Sequence, residues 1–68
     1  MTTEAAGSGL PVLLVRPEDA ARMLGVGRTK VYELMRSGTL RSVKFDGLRR
    51  IPVAALAEFV AQLETDAA

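Results

Sequence analysis

The sequence predicts a mainly helical α+β fold with three helices and one short β-hairpin. Two amphipathic helical segments lie three residues apart around a glycine-rich turn, and a third follows the hairpin turn that Asp46-Gly47 predicts. A chain of 68 residues forms one domain with a modest core. We therefore expect its stability to be marginal.

The ends of the chain predict little regular structure. Residues 1–11 are rich in Thr, Ala, Gly and Ser and predict a disordered tail, and residues 65–68 are expected to fray. Between them, residues 12–64 are expected to form the domain. Its first segment, residues 12–15, is a short β-prone run that predicts either an edge strand or an extended lead-in.

Two helices and a tight turn come next. Pro17 fits the first position of a helix that runs to about Leu24, and Gly25 fits a left-handed C-terminal cap. The second helix is expected to begin after Gly27 and to run through Ser37. Small residues inside the first helix, a turn with Gly and a buried aliphatic residue, and a second amphipathic helix form the helix-turn-helix pattern. An ordinary αα-hairpin has the same periodicity, so the next segment decides between them.

That next segment has the position of a wing. Residues 42–45 alternate, Asp46-Gly47 predicts a tight turn, and residues 49–51 resume a strand. The alternation predicts an inward set and an outward set, with Arg49 on the side of the inward set but close to the turn. The inward residues are Val43, Phe45 and Ile51, and the outward residues are Lys44 and Arg50.

A third helix, opened by Pro52, is expected to close the core. Its apolar face is broad for so small a domain, which predicts a patch for self-association. That face consists of Val53, Leu56, Phe59, Val60 and Leu63.

Charge is unevenly distributed along the chain. The net charge is only +1, but residues 28–50 contain seven basic and two acidic residues, and both flanks are net acidic. A basic centre of this kind suits a surface that faces phosphates, because Lys and Arg release condensed counterions there. An ordinary solvated face would have the same composition.

The composition argues against an enzyme. The chain contains no Cys and no His, so it lacks thiolate metal ligands and the most common general base. We predict no catalytic residue, no metal, no cofactor and no small-molecule ligand. We also expect no membrane segment and a cytoplasmic location, at the bacterial nucleoid.

Several short blocks resemble the excisionase-like and MerR-like winged helix-turn-helix family of bacterial and phage DNA-binding proteins. The likeness covers residues 14–60 and implies a second helix in the major groove, a wing at an adjacent minor groove or backbone, and often cooperative binding to neighbouring sites of double-stranded DNA. The blocks are Pro17-Glu18-Asp19-Ala20-Ala21, Leu24-Gly25-Val26-Gly27-Arg28, Val31-Tyr32-Glu33-Leu34, Ser37-Gly38-Thr39-Leu40 and Gly47-Leu48-Arg49-Arg50-Ile51-Pro52.

If the second helix lies in the major groove and the wing beside it, as the resemblance implies, two sets of residues are expected to contact DNA. Glu33 either accepts from a cytosine or pairs with a basic neighbour within the helix, and Tyr32 either donates to a phosphate or serves as a core aromatic. The wing cations either contact DNA or protect a strand edge from aggregation. The recognition-helix candidates are Arg28, Thr29, Lys30, Tyr32, Glu33 and Arg36, and the wing and backbone candidates are Arg41, Lys44, Arg49 and Arg50.

Three functions fit these residues. The first is an excisionase, a recombination directionality factor that binds and bends DNA near attachment sites and helps a tyrosine integrase excise a mobile element. The small size favours it, because regulators of this family normally carry a further domain. A compact MerR-like transcriptional regulator is the second function, and an interaction module that does not bind DNA is the third.

Overall fold

The structure, a computed structural model, describes residues 10–67 and confirms the predicted mainly helical α+β fold. The predicted disordered tail lies largely outside the described residues. Three strands form one antiparallel sheet in the order β1-β3-β2. The elements are β1 (Leu14–Val15), α1 (Pro17–Leu24), α2 (Arg28–Ser37), β2 (Val43–Phe45), β3 (Leu48–Pro52) and α3 (Val53–Ala67).

The first helix begins at Pro17, as predicted, although no side chain caps it. Arg16 occupies the N-cap, and its Nε donates to Asp19 Oδ2 at 3.0 Å. Arg22 Nη1 donates to the other oxygen of the same carboxylate at 3.1 Å. The hydrogen bond from Arg16 holds the pKa of Asp19 below its ordinary value. Asp19 therefore remains ionised in the first turn, where a negative charge favours the helix dipole.

The turn between α1 and α2 is closed by backbone hydrogen bonds. Gly25 has a φ of 74° and donates its N–H to Arg22 O, and the N–H of Val26 donates to Ala21 O at 3.0 Å. These two bonds form a Schellman motif, which needs no buried side chain in the turn. The prediction of a buried aliphatic residue in this turn is wrong, because Val26 is 41% exposed.

The second helix runs from Arg28 through Ser37, as predicted. Val31 is fully buried, while Leu34 and Met35 are half-buried and pack against the core. Gly38 ends the helix with a φ of 81°, a left-handed conformation that favours glycine. The apolar stripe predicted for this helix therefore faces the core.

The hairpin has the predicted turn but different faces. Asp46 and Gly47 have φ values of 54° and 81°, which match a two-residue type I′ turn and pair Phe45 with Leu48. Directly paired residues share a face, so Val43 and Phe45 lie on the face opposite Ile51. The prediction that they point inward is wrong.

The same register changes the wing cations. Lys44 pairs with Arg49, and Arg49 shares the face of Ile51, so Lys44 lies on that face and not on the opposite one as predicted, although it is exposed there. Arg49 is on the predicted side, and Arg50 lies on the opposite face. The error has a physical reason. A two-residue turn pairs Phe45 with Leu48, so the residues on one face have odd numbers on β2 and even numbers on β3. Counting every second residue straight through the turn therefore assigns the wrong face.

The core lies between the sheet, α1, α2 and the start of α3. The side chains of Ile51 and Leu40 are at most 1% exposed, and Leu40 N donates to Leu34 O at 3.0 Å just after α2 ends. The first segment of the domain takes the edge-strand alternative, since Val15 pairs with Ile51. The buried set is Val15, Ala20, Ala21, Val31, Leu40, Ile51, Ala55 and Leu56.

The third helix starts and ends later than predicted. Pro52 is the last residue of β3 and pairs with Leu14, so the helix begins at Val53. Fraying is predicted from residue 65, but the helix continues to Ala67, with Thr65 Oγ1 donating to Ala61 O at 3.0 Å. No helix within residues 10–67 is long and apolar enough to cross a membrane.

Replacing Ile51 with Ala should largely unfold the domain at room temperature. The side chain is fully buried on the central strand, so its truncation should cost about 2–5 kcal/mol, a large part of a small domain's stability. Urea titration followed by circular dichroism measures this loss. Leu63→Ala, at a residue that is 51% exposed, is the control and should change the free energy of unfolding by about 0.5 kcal/mol or less. Equal losses for both variants would contradict this account of the core.

Candidate nucleic-acid interface

The exposed face of α2 carries the first set of predicted residues, and acids partner two of its cations. Lys30 Nζ lies 3.4 Å from Glu33 Oε1, which is the intrahelical alternative predicted for Glu33. Arg28 Nε lies 3.8 Å from Glu18 Oε2 in the first turn of α1. Thr29, which lies between Arg28 and Lys30 in the sequence, is exposed. Exposed ion pairs contribute only about 0.2–1 kcal/mol, so they leave these side chains available to a ligand.

A cleft of about 240 Å³ separates the later part of α2 from the wing. It is lined by Tyr32, Met35 and Arg36 from the helix and by Arg49 from β3. Tyr32 is half-buried, and its ring centroid lies 5.7 Å from Arg28 Cζ. The helix and the wing therefore share one surface, although the two sets of residues are far apart in sequence.

Four cations of α2 and the wing have no acidic partner within residues 10–67. Among residues 10–67, no carboxylate oxygen lies within 4 Å of the charged groups of Arg36, Lys44, Arg49 and Arg50. Arg49 Nη1 donates to Ser42 Oγ at 3.4 Å, and Arg50 Nη1 donates to the Arg49 carbonyl at 2.8 Å. These contacts orient the side chains without neutralising them. We call these four residues the unpaired cations.

Arg41 stands apart from the other predicted wing and backbone residues. Its Nη2 donates to both carboxylate oxygens of Glu58 on α3, at 3.3 Å and 3.2 Å. It lines a different cleft, together with Gly38, Thr39 and residues of α3. Of the predicted residues, the structure brings Tyr32, Arg36 and Arg49 together in one cleft. The others are spread over α2 and the wing: Arg28, Thr29 and Glu33 are exposed on α2, Lys30 lines a groove with residues of α3, and Lys44 and Arg50 lie on opposite faces of the wing.

Two exposed apolar residues of the wing were not predicted as functional. Phe45 is 62% exposed and Leu48 is 48% exposed, and they face each other across the turn. The sequence does contain a signal for them, because a two-residue Asp-Gly turn fixes the pairing of its flanking residues. Counting the faces from that pairing would have placed both side chains opposite Ile51.

The surface formed by α2 and the wing is mainly cationic, and the described part of the chain places no cluster of metal ligands on it. Within residues 10–67, no three His, Cys, Asp or Glu side chains gather as a metal site requires. Chemically, guanidinium and ammonium groups spread over a helix and a hairpin are suited to contacts with phosphate oxygens and base edges.

Comparison with known proteins agrees with this geometry. Residues 14–64 match the family of helix-turn-helix domains. The chain is 52% identical over 50 residues to an excisionase of Streptomyces ambofaciens. The aligned residues cover 74% of this chain and 79% of that protein. It is also 47% identical over 51 residues to a probable excisionase of Saccharopolyspora erythraea. This alignment covers 75% of the chain but only 52% of that protein. No solved structure matches the chain. The chain belongs to the excisionase-like helix-turn-helix family.

Removing one unpaired cation should reduce the salt dependence of DNA binding. Each phosphate neutralised contributes about −0.9 to the slope of log affinity against log salt, so Arg49→Ala or Arg36→Ala should make the slope shallower by about that amount. Fluorescence anisotropy at several salt concentrations measures the slope. Arg22→Ala is the matched control, since Arg22 pairs with Asp19 on α1, outside the cleft. Equal slopes for Arg49→Ala, Arg36→Ala and the wild type would rule out phosphate contacts by these two residues.

Proposed function

From its membership of the excisionase-like helix-turn-helix family, we propose that the chain is a non-enzymatic, sequence-specific DNA-binding protein that acts as an excisionase. In this proposal it binds and bends double-stranded DNA near attachment sites, and so helps a tyrosine integrase to excise a mobile element. The observation that carries the proposal is the cleft between α2 and the wing, which Arg36 and Arg49 line from the two sides without an acidic partner within residues 10–67. Such a surface needs an anionic partner of extended shape.

The N-terminal part of α2 is proposed to read bases in the major groove. Arg28 and Lys30 are suited to guanine O6 and N7, and Glu33 to the amino group of cytosine. A base contact of this kind is worth about 1–3 kcal/mol, more than the exposed Lys30–Glu33 pair contributes. Base contact can therefore displace the pair. Thr29, exposed beside them, completes the proposed reading set.

The cleft is proposed to hold the DNA backbone. Arg36 and Arg49 approach it from the helix and from the wing, so one phosphate between them would be contacted from both sides. The half-buried Tyr32 would donate its hydroxyl to the same strand while its ring stays packed. Lys44 and Arg50 extend the cationic surface along the wing. Arg41 is paired with Glu58, so it would have to leave that carboxylate to contact the DNA backbone.

Several copies are proposed to bind cooperatively, because one small domain with few phosphate contacts binds weakly. The apolar face of α3 is only partly covered: Phe59 packs on the core, but Val60 and Leu63 are 39% and 51% exposed. Met23 of α1 lies beside them in a shallow groove. Lys30 borders this groove, and Glu64 borders a neighbouring groove that shares Met23 and Val60 with it, so a second copy of the chain would meet both charges.

Replacing Val60 and Leu63 with Ser should remove this cooperativity. Wild-type protein is expected to extend its DNA footprint as its concentration rises, whereas the double variant should protect only one site, with an unchanged salt slope. DNase I footprinting of a duplex with adjacent sites measures this. Leu13→Ser, a change at an exposed residue outside the groove, serves as the control. A footprint of fixed length for the wild type would exclude cooperative loading.

Charge reversal at the wing should abolish DNA binding and excision together. Arg49→Glu places a carboxylate where a phosphate is proposed to lie, so affinity for an attachment-site duplex should fall by at least about 100-fold. Anisotropy and an excision assay with the integrase encoded beside the element measure both effects. Arg22→Glu is the control.

The outcomes of this experiment separate the three functions. Specific binding with integrase-dependent excision supports the excisionase. Specific binding without any effect on excision, together with altered transcription from a nearby promoter, would replace it by a MerR-like regulator. Wild-type protein that prefers no genomic duplex to a scrambled one, even at low salt, would replace both by an interaction module.

A further inference from the structure

Beside its turn, the wing is apolar on one face and cationic on the other, while Arg50 lies farther from the turn on the apolar face. Lys44 and Arg49 pair on the face that Ile51 shares, whereas Phe45 and Leu48 pair on the opposite face. Phe45 is the more exposed of the two apolar residues, at 62%. Both flank the Asp46-Gly47 turn, so they lie at the tip of the hairpin. We call Phe45 and Leu48 the apolar tip.

These two exposed apolar side chains lie outside the packed core of the domain. Neither residue belongs to the buried core or to the half-buried set that packs against it. Burying one large apolar side chain is worth about 1.5–3 kcal/mol, so leaving two of them in water forgoes a substantial gain. A partner that covers them would recover it.

The charges around the apolar tip identify that partner as DNA. Residues 44–50 contain three basic residues and one acidic residue, and the three cations are all unpaired within the described part of the chain. An apolar protein surface would leave these cations desolvated without compensation. A nucleic acid offers phosphates to the cations and stacked bases or sugars to the apolar side chains.

The dimensions of the minor groove determine how such a tip would bind. The groove of B-DNA is about 6 Å wide, and the two strands of a hairpin are already about 4.8 Å apart before side chains are added. A tip with Phe45 on one face and Lys44 on the other therefore does not fit an undistorted groove. Apolar side chains inserted between base steps widen the groove and kink the duplex.

We propose that Phe45 and Leu48 form a wedge that enters the minor groove, partly unstacks one base step and so produces the bend. This inference rests on the proposed DNA-binding function and adds to it the residues that would cause the bend. Lys44, Arg49 and Arg50 hold the wing against the flanking phosphates in this arrangement. The single acid of the tip, Asp46, lies near those phosphates and weakens binding.

The test compares three variants of the full chain on the duplex that the wild type binds most tightly. Phe45→Ala combined with Leu48→Ala removes the wedge, and Asp46→Asn removes the tip charge while keeping a residue suited to the type I′ turn. Leu13→Ala is the control, because Leu13 is also exposed, at 71%, but lies outside the wing. Circular dichroism melting verifies that each variant folds, as expected for changes at exposed positions.

Three readouts on labelled duplexes distinguish a wedge from a simple contact. Energy transfer between dyes at the two ends reports bending, 2-aminopurine placed at successive base steps reports unstacking, and anisotropy reports affinity. The double variant should lose most of the bend and the 2-aminopurine signal and should bind about tenfold or more weakly. Its salt slope should equal that of the wild type, because no cation is removed. Asp46→Asn should bind severalfold more tightly, and the control should match the wild type.

Other results would overturn the wedge and leave the proposed function standing. A double variant that bends and unstacks DNA like the wild type would do so, as would an affinity unaffected by Asp46→Asn. Sedimentation in which the wild type self-associates and the double variant does not, with bending unchanged, would assign the apolar tip to a protein contact instead. Wild-type protein that binds no duplex specifically would overturn the DNA-binding function itself.

Discussion

The arrangement of this domain depends on the burial of one central strand. β3 pairs with β1 on one side and with β2 on the other, and its Ile51 is fully buried among residues from every layer. Because Pro52 ends the strand and α3 starts at the next residue, the same burial fixes where the third helix begins. The wing is the other end of the same strand. Its position relative to α2 is thus set by the core and not by contacts at its tip.

A nearly neutral chain can carry an uneven distribution of surface charge. In this domain the positions of the carboxylates determine which cations are paired and which are not. Acids neutralise cations on α1, at the start of α2 and beside α3, through Asp19, Glu18, Glu33 and Glu58. The unpaired cations remain on α2 and the wing, and two of them, Arg36 and Arg49, line the cleft between these elements. A net charge of +1 therefore conceals a surface on which positive charge is concentrated where a duplex would dock.

The wing combines two properties that usually conflict. An exposed hairpin with Phe45 and Leu48 at its tip invites edge pairing and aggregation, which charged residues on the edge strand counteract. Lys44 on β2 is placed to do this in the free protein. In the proposed complex the same cation would face phosphate, so one residue can serve solubility without DNA and affinity with it.

The sequence by itself determined the helices and the positions of the tight turns, since these depend on local rules. Pro17, the left-handed glycines 25 and 38, and the Asp46-Gly47 turn each specify nearby backbone. Only the tertiary structure decided which face of the wing is apolar, which cations are unpaired and that Leu40 is buried. Strand register, the pairing of Arg41 with Glu58 and the burial of an isolated Leu depend on residues distant in sequence. The pattern of hydrophobic residues along the chain does not show which distant residues come into contact. The packing of the other elements around β3 determines those contacts.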